Sequence, residues 1–165
     1  MISKRARYAL HGVGFLAYYH GRGPLSFKEI LQYLSGYSNK LSLSPGYIAR
    51  VFQDLSRAGI VQSTLGRKGG YSLARAPGEI RILDIVAATD GDQLEECCLL
   101  STGGCSNQAT CGVNSVINQA QRTFFEFLAS EDVGSLAQKM FGVKAPLELP
   151  ERLAEATPAQ ETAVE

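Results

Sequence analysis

The sequence predicts a mainly α-helical chain with a small β-hairpin, built as a winged helix–turn–helix domain followed by a long dimerisation helix. Three observations predict this fold class. Apolar residues recur at helical spacing in successive segments, two β-prone runs flank a glycine-rich tip, and a long apolar stripe follows the segment that holds every cysteine. We therefore expect the winged domain over residues 1–90, a cysteine loop over 91–112, the dimerisation helix and a short C-terminal helix over 113–143, and a disordered tail over 144–165.

The first helix is predicted from about Ser3 to His20 by apolar residues at spacings of four, three and four. Gly12 and Gly14 lie inside it, where each costs about 1 kcal/mol relative to alanine, so they indicate close packing of the backbone. His11 lies one position from the apolar stripe. A histidine in that place is more often structural than a metal ligand.

The next two helices carry start signals. Ser26 with Glu29 forms a capping box, in which the hydroxyl and the carboxylate each satisfy an amide, and this second helix is expected to end near Gly36. Ser44 and Pro45 open the third helix as N-cap and first helical residue. The buried stripe and the end of the third helix are predicted at Ile48, Val51, Phe52, Leu55 and Gly59.

The hairpin after the third helix has a basic tip. Its strands are predicted over Ile60–Leu65 and Tyr71–Ala74, and Arg67 and Lys68 lie among the glycines between them. Two helices followed by a basic hairpin is the order of a winged helix–turn–helix, in which the tip contacts DNA phosphates or the minor groove. A nucleotide-binding glycine loop would need a helix directly after it, and here a strand follows.

The charge of the chain is divided between its two halves. Residues 1–81 hold twelve Lys or Arg and three acidic residues, whereas residues 82–165 hold four and thirteen, although the net formal charge is zero. This division favours a first half that alone faces a polyanion, and the alternative is that both halves are ordinary solvated surfaces. The sequence contains no run of eighteen apolar residues and no secretion signal, so we expect a cytoplasmic protein without a membrane partner.

All four cysteines lie within fifteen residues of one another, as Cys97, Cys98, Cys105 and Cys111. The residues between the last three are mostly Gly, Ser, Thr, Asn and Gln, which predict a loop. A loop of that composition is not held by apolar burial, so the thiols bind a metal centre or bind each other. In the cytoplasm, metal or redox chemistry is more common than a structural disulfide.

The most regular apolar pattern of the chain follows the cysteines. Its members, which step by four, three, four and three, are Val113, Ile117, Ala120, Phe124 and Phe127, and Val116 and Leu128 widen the stripe. A helix of this kind beside a small domain with its own core commonly packs against a copy of itself. Packing within one chain is the alternative.

Five motifs in this order resemble the Rrf-two family of bacterial transcriptional regulators, whose members include IscR, NsrR and RirA. The motifs are RYAL near the start, LSPGYIARVFQDLSRAGIV, GRKGGYSL, LDIVAATDG and Cys–x(6)–Cys–x(5)–Cys, and the likeness extends over roughly residues 1–140. It implies a homodimer that binds double-stranded promoter DNA and is not an enzyme. By position it implies DNA-binding roles for Ser44, Tyr47, Arg50, Arg67 and Lys68.

The resemblance also implies an iron–sulfur cluster, 2Fe-2S or 4Fe-4S, held by three cysteines of the loop. Cys105 and Cys111 match the second and third ligands of the family. The first ligand is Cys98, by the spacing seen in several members, or Cys97, by the longer gap of RirA-like proteins. Adjacent side chains of an extended segment point in opposite directions, so one of the two is expected to reach the cluster.

The fourth iron ligand differs from two patterns of the family. IscR-like members carry a histidine where this chain has Asn114, and certain NsrR proteins use an acid where this chain has Arg7. His11 is the candidate that remains, because one redox-sensing member uses a histidine at the corresponding place. A cluster would suit sensing of iron, redox state or nitric oxide. The alternatives are a zinc- or thiol-based regulator of the same fold and, from another class, a small iron–sulfur electron carrier.

Overall fold

The computed structural model describes residues 2–37, 44–91 and 114–142. Within these ranges the chain forms six α-helices and one antiparallel hairpin, and a short 3-10 helix, Pro77–Glu79, precedes the fourth helix. Among the helices of these ranges, none combines the length and the apolar character that a membrane-spanning segment needs. The elements are α1 (Lys4–Tyr18), α2 (Phe27–Tyr37), α3 (Pro45–Arg57), β1 (Val61–Thr64), β2 (Gly70–Leu73), α4 (Ile82–Asp90), α5 (Asn114–Ser130) and α6 (Val133–Phe141).

The first three helices begin where the sequence predicts. Ser3 is the N-cap of α1, and its hydroxyl accepts a hydrogen bond from the Ala6 N–H at 3.1 Å. The capping box of α2 is formed: the Ser26 N–H donates to the Glu29 carboxylate at 2.6 Å, and the Glu29 N–H donates to the Ser26 hydroxyl at 3.3 Å. Ser44 occupies the N-cap of α3 in an extended conformation, but among the described residues its hydroxyl makes no capping hydrogen bond.

The core is centred on α1, where two glycines allow neighbouring helices to approach. A Cβ on Gly12 would lie 2.9 Å from Cζ of Phe52 on α3, and a Cβ on Gly14 would lie 3.1 Å from Sδ of Met140 on α6. Both glycines therefore mark close packing, as the sequence predicted. The predicted stripe of α3 is also confirmed, since Ile48, Val51, Phe52 and Leu55 are all buried.

The hairpin, which we call the wing, pairs Val61 with Leu73 and is joined to the segment before α2. Leu25 and Tyr71 exchange backbone hydrogen bonds of 2.9 and 2.7 Å, and the Tyr71 ring packs on Phe52 with centroids 4.9 Å apart. The wing is thus fixed to both helices of the helix–turn–helix.

The apolar stretch Ile80–Ala88 predicts a short helix before the cysteine loop. Helix α4 begins two residues later, at Ile82, because the Asp84 carboxylate accepts the Arg81 N–H at 3.0 Å and caps the helix there. A small cluster joins α4, α1 and α5, and its buried members are Ala6, Ile82, Val86 and Leu128. Helix α6 then returns to α1 and α2, where Phe141 packs on Tyr18 and Tyr33. The cysteine loop and the predicted disordered tail lie outside the described residues.

Candidate nucleic-acid interface

The outward side of α3 presents the residues predicted to meet DNA. Ser44, Tyr47 and Arg50 are spaced by three residues, so they lie along one side of the helix, and all three are exposed. Tyr47 keeps 41% of its surface accessible. The opposite side of α3 is fully used in the core, which leaves this side as the surface that α3 offers to a partner.

The first turns of α1 extend this surface, although none of their residues was among those predicted to contact DNA. The Tyr8 ring meets the Tyr47 ring edge-on, with centroids 6.2 Å apart, and Nζ of Lys4 lies 5.8 Å from the centroid of Tyr8. Tyr8 is buried and Lys4 is exposed. A buried ring therefore orients Tyr47, and a cation stands beside it. The basic run in KRARY was a signal for this arrangement, but only the tertiary contact shows which helix it joins.

An ion-pair cluster fixes α1 against α3 at the next turn. The Asp54 carboxylate of α3 pairs with Arg5 of α1 and with Nη1 of Arg57, the latter at 3.2 Å. The side chain of Asp54 is 18% exposed and that of Arg5 is 33% exposed, so the Arg5 pair is partly shielded from water. The two arginines offset the one acidic side chain of α3, which keeps this region attractive to a polyanion.

The tip of the wing is built for close approach of its backbone to a partner. Arg67 and Lys68 are exposed at the tip. Gly66 has a φ of 111°, and a Cβ on Gly69 would lie 2.2 Å from the Thr64 carbonyl oxygen, so this turn requires glycine at both places. The two cations are therefore held in a tight turn between these two glycines.

The cysteines predicted to bind a metal centre lie outside the residues that the structure describes. They are Cys97, Cys98, Cys105 and Cys111, and the part of the chain that the structure covers contains no group of three or more His, Cys, Asp or Glu arranged for a metal ion. Thiolate sulfur is nevertheless the donor that iron–sulfur clusters use in proteins, so the donor set of the cysteine loop fits such a cluster chemically.

His11 lies on the side of α1 that faces α2. Its Nδ1 is 3.4 Å from the Tyr33 hydroxyl, and burial lowers the pKa of its imidazole, which favours the neutral form. Ala6, which packs on α4, is about 140° away around the helix. His11 is also about 12 Å further along the axis than Ser3, whose contact is the last residue of α4. The structure therefore does not place His11 beside the start of the cysteine loop, and its role as a ligand stays a prediction.

Comparisons with known proteins agree with the winged-helix fold. The family model Rrf2, described as an iron-dependent transcriptional regulator, matches residues 2–139. The HTH-type transcriptional regulator NsrR of Bacillus licheniformis is 28% identical over 122 residues, which cover 73% of this chain and 80% of that protein.

Two solved structures have the same architecture. CymR, described as the global cysteine regulator of B. subtilis, is similar with a TM-score of 0.67 and 28% identity, covering 84% of this chain and 97% of CymR. IscR of T. potens is similar with a TM-score of 0.62 and 25% identity, covering 85% and 88%. Regulators of this kind bind promoter DNA and are not enzymes. The chain belongs to the Rrf2 family of DNA-binding transcriptional regulators.

Proposed function

We propose that this chain is a homodimeric regulator whose affinity for promoter DNA depends on an iron–sulfur cluster held by the cysteine loop. Cys98, Cys105 and Cys111 are the proposed ligands, with Cys97 as the alternative to Cys98. The observation that carries the proposal is the spacing of these thiols in a chain whose family is described as iron-dependent. When bound, such a cluster supplies a centre whose state changes with iron supply, redox state or nitric oxide.

The proposed DNA contact uses α3 and the wing together. Tyr47 and Arg50 are exposed on α3, and Arg67 and Lys68 are exposed at the wing tip. An α-helix fits the major groove, and basic side chains in a wing contact phosphates or the minor groove. In this proposal the residues of α3 read base edges, and those of the wing supply affinity that depends on salt.

The proposed dimer uses the outer side of α5. Val116, Phe124 and Phe127 expose 66%, 37% and 49% of their surfaces. Leu128, at the edge of the same stripe, is buried within the chain at 2% exposure. Large apolar side chains spaced along one helix and left exposed are typical of a protein–protein interface. A symmetric pair of α5 helices would cover them and would set the spacing between the two recognition helices.

Metal analysis of protein purified without oxygen tests the proposal. We expect bound iron and acid-labile sulfide, loss of both in Cys98→Ser, and retention in the matched variant Cys97→Ser. The reverse pattern would assign Cys97 as the first ligand. The affinity of the iron-loaded protein for its DNA site is expected to differ from that of the iron-free protein at the same salt concentration, and equal affinities would contradict the sensing role.

A thiol-based regulator without a cluster is the second candidate. The likeness to CymR, described as a global cysteine regulator, favours it, because that likeness covers nearly all of CymR. Protein that contains zinc, or no metal, and whose DNA affinity changes on reversible thiol oxidation would support this second function. It would use cysteines of the same loop and the same DNA-binding surface.

A further inference from the structure

A carboxylate at the end of α4 holds the start of α1. Asp90, the last residue of α4, accepts hydrogen bonds from the Ser3 backbone N–H at 2.8 Å and from the Ser3 hydroxyl at 2.5 Å. The same hydroxyl accepts the Ala6 N–H at 3.1 Å and so caps α1. One acidic side chain is therefore bound to the N-cap of another helix, 87 residues away in sequence. Its negative charge also interacts favourably with the N-terminal end of the helix dipole.

Asp90 is also the last helical residue before the cysteine loop. Gly91 follows it with a φ of 88° and a ψ of 167°, a conformation that is essentially restricted to glycine, and its N–H donates to the Ala87 carbonyl at 2.9 Å. The direction in which the chain leaves α4 is thereby set at one residue. Any force on the loop that reaches the winged domain through the backbone arrives first at Asp90.

The first two turns of α1, directly after Ser3, contact α3. Arg5 lies two residues after Ser3 and pairs with Asp54 of α3, and Tyr8 one turn later meets Tyr47 edge-on. The close contact of Gly12 with the ring of Phe52 leaves α1 little room to slide over α3. The start of α1 therefore lies between the end of α4 and the exposed side of α3.

We infer that Asp90 is a positioning residue for DNA binding. By holding Ser3, it fixes the first turns of α1 and through them the orientation of Tyr47 on α3. The apolar cluster that contains Ala6 and Val86 joins α1 to α4 as well. Apolar packing is not directional, whereas the two hydrogen bonds of Asp90 define one orientation. That the cysteine loop acts on DNA affinity through this link rests on the proposed function.

A double-mutant cycle between Asp90→Ala and Ser3→Ala tests the positioning role. The probe is a duplex selected by the wild-type chain from a random-sequence library, and affinity is measured by fluorescence anisotropy at one salt concentration. We expect Asp90→Ala to bind about tenfold more weakly. Ser3→Ala keeps the backbone N–H that donates to Asp90, so its loss is expected to be smaller. The double variant is expected to lose less affinity than the product of the two single losses, because both substitutions remove the bond between the Ser3 hydroxyl and Asp90.

Two further variants separate positioning from charge and from loss of stability. Glu126→Ala removes an equal charge from an exposed place on α5, and it is expected to bind DNA as the wild type does. Asp90→Asn keeps the shape and an acceptor for the Ser3 N–H, so it is expected to recover most of the affinity. If Asp90→Ala does not fold, Ser3→Ala and Asp90→Asn carry the same test. All variants are compared well below their unfolding temperatures, recorded by circular dichroism.

The outcomes distinguish the inference from the function on which it rests. Wild-type affinity for Asp90→Ala, or fully additive losses in the cycle, would overturn the positioning role. If removing iron changes the affinity of the wild type and of Asp90→Ala by the same factor, the loop acts by another route. A third outcome is that removing iron leaves the DNA affinities of both the wild type and Asp90→Ala unchanged, with Asp90→Ala still about tenfold weaker. The sensing proposal then fails and the role of Asp90 stands.

Discussion

Replacing the two exposed phenylalanines of α5 by serine is expected to dissociate the proposed dimer. The exposed fractions of Phe124 and Phe127, 37% and 49%, together amount to nearly one whole phenylalanine side chain per protomer. Covering that much apolar surface stabilises a complex by about 2 kcal/mol, so a symmetric dimer would lose about 4 kcal/mol in the double variant. The dimer dissociation constant is then expected to rise about a thousandfold.

Sedimentation velocity over a range of protein concentrations measures this change. The matched control is Leu65→Ser, which removes an apolar side chain that is 95% exposed but lies on the wing rather than on α5. The dimer dissociation constant of Leu65→Ser is expected to equal that of the wild type. The reasoning would be refuted if the double variant kept the wild-type mass at every concentration, or if the wild type itself were monomeric throughout.

Three further predictions concern DNA binding, packing and pH. Replacing Arg67 and Lys68 by alanine should lower the slope of log affinity against log salt by about 0.9 per cation that contacts phosphate, measured by anisotropy titrations; an unchanged slope would exclude the wing tip from the interface. Gly12→Val should cost about 1–3 kcal/mol of unfolding free energy, because the new side chain would meet the buried phenylalanine of α3. The control Gly36→Ala has nothing within 4 Å among the described residues and should stabilise α2. Equal effects of the two substitutions on thermal unfolding would contradict the packing argument. Burial lowers the pKa of His11 below 6.5, so the unfolded chain takes up the proton at a higher pH than the folded chain does. The unfolding free energy should therefore fall as pH drops through about 6.5 and level off below the folded-state pKa. Denaturant titrations of His11→Gln should lack this loss, and identical pH profiles for the variant and the wild type would refute the prediction.

Local signals were sufficient for most elements. The capping box at Ser26 and the Ser44-Pro45 start depend on residues adjacent in sequence, and the structure confirms both helix starts. The stripe of α3 and the glycine-rich turn of the wing were equally readable, because period and turn chemistry are local properties. The observed start of α4 is two residues later than the predicted start at Ile80, because the Asp84 carboxylate caps the helix at Arg81.

Contacts between distant segments were not readable from the sequence. Lys4 and Tyr8 join the surface of α3 only because α1 crosses that helix, and sequence spacing carries no such information. The side of α1 on which His11 lies was also decided by packing against Tyr33. Ser3 and Asp90 are separated by 87 positions, so neither residue alone indicated the link.

By itself the sequence determined the helices, the basic wing and the clustered thiols, because each follows from residues within a few positions of one another. The tertiary structure alone decided which helix ends meet. It joined Asp90 to Ser3 and Tyr8 to Tyr47, and it left Phe124 and Phe127 uncovered. Such pairings depend on how apolar surfaces of whole helices are buried together, and that free energy is a property of the assembled core rather than of any one segment.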